Sequence, residues 1–102
     1  MNERYSAQQV SRILDQSLAY QCACPAQVCR TIFELRELYD YQVDCGNQTD
    51  EDEQVHATIA ATTEQAHALM EECLARVLEI EGWDPATLAM PEKLRARMSK
   101  PL

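Results

Sequence analysis

Apolar residues recur at steps of three and four along most of the chain, the spacing of one helix face. "SAQQ" at 6–9 reads as a capping box, Ser6 at the N-cap and Gln9 three positions on, and Val10, Ile13, Leu14 and Leu18 follow it. The pattern predicts a first helix over 7–21. Pro25 ends it, because the residue before a proline avoids the helical region. The same proline suits the first position of a new helix, with Cys24 as its N-cap. Val28, Ile32, Leu35 and Tyr39 make a second stripe, to about Val43. A third helix over 50–81 is capped by Thr49 or Asp50 and closed by Gly82. Along it Val55, Ile59, Thr62, Ala66, Leu69, Cys73 and Ile80 form the expected core stripe, with Met70 and Val77 beside them. Asp84-Pro85 and Pro91 repeat the cap-then-proline start. These elements predict an all-α fold: a single domain (1–102), an antiparallel helical bundle built on a long helix 2–helix 3 hairpin, with a short C-terminal helical segment.

Composition agrees. With 46% apolar residues and only two glycines, the 102-residue chain has the material for a modest helical core. No run approaches the length of a membrane span, and the first ten residues lack the apolar core of a signal peptide. A cytoplasmic setting with reduced thiols is the expectation, and the odd number of cysteines, five, also argues against a closed disulfide framework. The net charge of −8 argues against nucleic acid or an anionic membrane as partner. It is unevenly spread: Lys93, Arg95, Arg97 and Lys100 against Glu92 make residues 91–102 net +3, leaving −11 on the rest. That tail is either a solvated basic face or a group that pairs with an acidic surface on another subunit.

Two features carry candidate chemistry. "YQCACPAQVC" places Cys22, Cys24 and Cys29 around the predicted helix 1–helix 2 bend. Thiolates there suit zinc or iron, with His67 as a further ligand, since pairing the two long helices outward from the 46–47 loop puts His67 beside Ala26. Cys45 lies at the far end of helix 2. The spacing C-x-C-x4-C differs from paired zinc knuckles, so small thiols at a helix boundary are the alternative. A redox role is a third reading, with Cys24 activated by the helix N-terminus and Cys22 or Cys29 resolving it. The second feature is Glu-x-x-His, found twice on helix 3, at Glu53–His56 and at Glu64–His67. It puts a carboxylate and an imidazole on adjacent turns of one face, as helical di-iron sites do. Eleven residues, about 16 Å, separate the two copies, so they cannot share one ion within a chain. Helix 2 (Glu34, Glu37) or a second subunit would have to complete either.

Residues 34–74, with "YD" at 39–40, "VD" at 43–44, a short loop and then Glu64 and His67, resemble the helical hairpin of encapsulated-ferritin-like proteins. The resemblance implies a small all-α protein with a di-iron ferroxidase site between two subunits, Glu64 and His67 matching the family's Glu-x-x-His. Ile32 stands where the family has another iron-ligand carboxylate.

Three classes follow. One is a small metal-binding helical protein, non-catalytic or weakly redox-active, holding Fe or Zn through Cys22, Cys24, Cys29, Glu64 and His67. The second is a cofactor-free helical interaction or assembly module. The third is a thiol-based redox sensor using Cys24. A homo-oligomer or a protein partner docked on a helix face fits all three, the Ala-rich back of helix 3 (Ala57, Ala61, Ala68, Ala75) offering close approach. No Ser/His/Asp arrangement, glycine-rich phosphate loop or H-E-x-x-H supports a conventional hydrolase or nucleotide enzyme.

Overall fold

The computed structural model describes residues 1–20 and 23–98. Among the described residues there is no strand, and the order is α1 (Ala7–Ala19), α2 (Ala23–Asp44), α3 (Asp50–Glu81) and α4 (Glu92–Met98). The chain is all-α, and α2 and α3 pack most closely, as an antiparallel hairpin. No helix among the described residues is long and apolar enough to cross a membrane.

The helix ends follow from local chemistry. Ser6 and Gln9 exchange two hydrogen bonds, Ser6 Oγ accepting from the Gln9 amide at 3.1 Å and Gln9 Oε1 from the Ser6 amide at 2.8 Å. Thr49 Oγ1 caps α3 by accepting from the Asp52 amide, and four acids in the first turn face the positive end of the helix dipole. Gly82 ends α3 at φ 84°, a left-handed conformation open to glycine, while Lys93 lays its ammonium close by. Two starts differ from expectation. α2 begins at Ala23, so Cys24 lies within its first turn and not at the cap; Pro25 remains tolerated because the first amides of a helix have no intrahelical acceptor. Asp84-Pro85 opens a turn and not a helix: the Asp84 carboxylate accepts from the Ala86 and Thr87 amides, which pushes its pKa below the usual range. Leu88 closes that turn at φ 58°, unusual for a branched residue, with its side chain buried.

The core sits at the open end of the hairpin. Val10 and Ile13 of α1, Cys29 and Ile32 of α2, and Leu74 and Leu78 of α3 meet Trp83, Leu88, Met90 and Leu94 there. Gln16 stitches α1 to this closing segment, donating to the Leu88 carbonyl and accepting from the Met90 amide, both at 2.8 Å. α1 has 13 residues against the 32 of α3, so it covers only part of the hairpin.

The face that α3 buries is not the expected one. Thr63, His67, Glu71, Leu74 and Leu78 are buried. The predicted core stripe looks outward: Val55, Leu69 and Ile80 are 50%, 64% and 65% exposed, and Cys73 is exposed as well. Cys73 is therefore a surface thiol and not a core residue. At ~100° per residue the two faces lie roughly 120° apart.

Candidate functional site

Register decides which residues meet. Pairing outward from the loop would place Ala57 level with Arg36. Arg36 instead donates from Nε to His67 Nε2 at 3.0 Å, about three turns further along α3. The loop explains the shift. It runs back beside the first turns of α3, with Asn47 Oδ1 at 2.6 Å from His56 Nδ1 and the Gln48 amide on Asp52, so α3 overshoots the end of α2. Tyr39 accordingly meets Glu64, whose carboxylate beside the hydroxyl raises the tyrosine pKa. His67 is thus carried toward Arg36 and away from the level of Ala26.

His67 is almost fully buried in a polar cluster. The guanidinium N–H can only donate, so His67 Nε2 must accept and its proton sits on Nδ1, which faces Glu71 Oε1 at 3.6 Å. Burial lowers the His67 pKa; the Glu71 carboxylate opposes that shift and Arg36 adds to it. Glu71 Oε2 accepts from the Arg4 and Tyr5 amides at 2.7 and 3.0 Å and from Arg36 Nη2 at 3.3 Å. Arg36 also donates to the Tyr5 carbonyl at 2.6 Å and lies 3.4 Å from Glu3. Arg36 and Glu71 are 9% and 4% exposed. Their pairing therefore clamps residues 3–5 across the hairpin and satisfies two backbone amides at once. Arg36 Nη1 finds no hydrogen-bond partner among the described residues.

The predicted metal ligands are not gathered. Cys22 lies outside the described residues. Cys24 is exposed, whereas Cys29 is buried in the apolar core, where desolvation pushes its thiol up to about 11 and keeps it protonated near neutrality. Glu64 is exposed and next to Tyr39, and the Nε2 of His67 is taken by Arg36 while its Nδ1 faces Glu71. Among the described residues no group of three His, Cys, Asp or Glu side chains is placed to hold a metal ion. A guanidinium on the imidazole lone pair is also a poor neighbour for a cation.

The stripe that sequence reasoning placed in the core lies on the outer face of α3. Val55, Ile59, Thr62, Ala66, Leu69, Cys73, Arg76 and Ile80 follow steps of four and three without a break. That is the a/d repeat of a coiled-coil seam over about three and a half heptads, or ~37 Å of helix. Ile59 and Ala66 are half-buried at its edge; the others stand open except where Arg76 pairs with Glu79 at 3.2 Å. The repeat was visible in the sequence, and only its direction was misread. On α2, Leu38 and Tyr41 are also exposed, 41% and 67%.

No protein-family model, curated protein or solved structure matches the chain.

Proposed function

We propose that this protein is a helical interaction module whose working surface is the outward seam of α3. The observation that carries the reading is a heptad repeat on a 32-residue helix, apolar or small at every position but Arg76, of which all but Ile59 and Ala66 stand exposed among the described residues. A seam of this length presented to water is uncommon unless another helix covers it. A cytoplasmic setting belongs to the reading, since Cys24 and Cys73 are exposed thiols that stay reduced there. No cofactor is required.

A photo-crosslinking amino acid at position 69, in cells that make the protein, tests this against the same group at exposed Asp15 on α1. Position 69 is expected to give a discrete adduct that Asp15 does not. No adduct at 69, or equal adducts at both, sinks the reading. Elemental analysis separates the metal-binding alternative. Full occupancy by Fe or Zn, lost in a Cys22/Cys24/Cys29→Ser variant or in His67→Ala, would replace the interaction reading with a metal site.

A further inference from the structure

We infer that the partner on the α3 seam is a second copy of this chain, lying antiparallel to the first. The inference rests on the interaction reading above and adds the identity and direction of the partner.

The choice between directions comes from what each brings together. In a parallel pair every seam residue faces its own copy. Arg76 would then meet Arg76, and Ala66 would meet Ala66 and leave a gap. Both acidic first turns, Asp50 to Glu53, would also lie side by side at one end. Like charges and unfilled volume oppose that arrangement.

Reversing one helix removes the first two faults and separates the two acidic first turns. Ala66 now faces Leu69 of the second copy, and by symmetry Leu69 faces Ala66, so the two central layers each set a small residue against a large one. Val55 meets Ile80 at both ends. Thr62 meets Cys73, and Ile59 meets the aliphatic stem of Arg76, whose charged head is free to reach water. On the polar flank Thr58 faces Glu79 and Gln65 faces Glu72, so no two acids are opposed there. The acidic turn at 50–53 is parted from its own copy by the length of α3 and comes to the end that carries Glu79 and Glu81. The opposite flank of the seam already packs into the hairpin through Thr63 and Met70. Such a pair has two-fold symmetry, uses the same surface on both chains and closes on itself.

The test uses the full-length chain. Equilibrium sedimentation is expected to give twice the 11.6 kDa of one chain. Leu69→Glu should weaken the association by more than about tenfold, with the far-UV circular dichroism signal unchanged because position 69 is already exposed within one chain. A short bismaleimide added to Thr62→Cys should join the engineered thiol to Cys73 of the second copy, mapped by mass spectrometry. A monomer at millimolar concentration, or a Cys73-to-Cys73 product as the main species, overturns the inference. The photo-crosslink at position 69 distinguishes the two failures: an adduct to a different protein ends the second-copy proposal and leaves the interaction reading standing, whereas no adduct ends both.

Discussion

Leu69 and Leu74 sit five residues apart on the same helix and differ completely in environment. Leu74 is 0% exposed and belongs to the core; Leu69 is 64% exposed. The buried face of α3 carries His67 and Glu71, whereas the exposed face carries valine, isoleucine and leucine. Hydrophobicity alone would assign the faces the other way round. The comparison teaches that burial here is decided by partners. Arg36 and the Arg4 and Tyr5 amides make the polar face fit to bury, while among the described residues most of the apolar face stands exposed.

The most damaging way to break that contrast is to remove one charge from the buried face. Glu71→Ala takes the buried countercharge from Arg36 and the shared acceptor from the Arg4 and Tyr5 amides, and is expected to cost about 3–5 kcal/mol in chemical denaturation. Replacing both charges, as Arg36→Met with Glu71→Leu, should return a substantial part of that loss; a double variant as unstable as Glu71→Ala would show that the clamp on residues 3–5 matters more than the pair. Next comes Leu74→Ala, for which the core position predicts a loss of about 2–5 kcal/mol.

pH gives a third and smaller handle. Burial holds the His67 pKa below the ordinary value of about 6.5, so the unfolded chain takes up this proton first as pH falls. Stability from this group is therefore full above about pH 6.5 and declines below it, at no more than about 1.4 kcal/mol per pH unit. Protonation would also put an N–H where Arg36 Nε donates. His67→Gln should flatten the slope just below about pH 6.5; an unchanged slope would assign the dependence to other groups. The smallest effect sharpens the comparison most. Leu69→Ala, measured where the chain is dilute enough to be monomeric, should change stability by about 0.5 kcal/mol or less. A loss matching that of Leu74→Ala would mean the two faces are not distinct.

Much of the architecture was legible because it is written locally. The Ser6–Gln9 box, the Thr49 cap and Gly82 each act within four residues; the structure places the first and last as read and selects Thr49 over Asp50 as the cap. The candidate site was less legible because its parts are distant in sequence. Glu71 looks like a solvated acid until Arg36, 35 residues earlier, is placed beside it. The expected pairing of His67 with the thiol-rich bend failed through a loop that folds back on α3, a geometry set by Asn47 and Gln48 contacts that no periodicity announces. A signal did exist: Thr63, His67, Glu71, Leu74 and Leu78 also step by threes and fours, a second stripe overlapping the more apolar one.

The single chain is a rod, 58 × 25 × 18 Å, with a radius of gyration of 16.8 Å where a globule of this length would have about 13 Å. Drag in solution follows the long dimension. One chain will elute from a sizing column ahead of spherical standards of its own mass and can pass for a larger species there. Light scattering or sedimentation, which report mass apart from outline, are therefore the measurements by which its stoichiometry has to be judged.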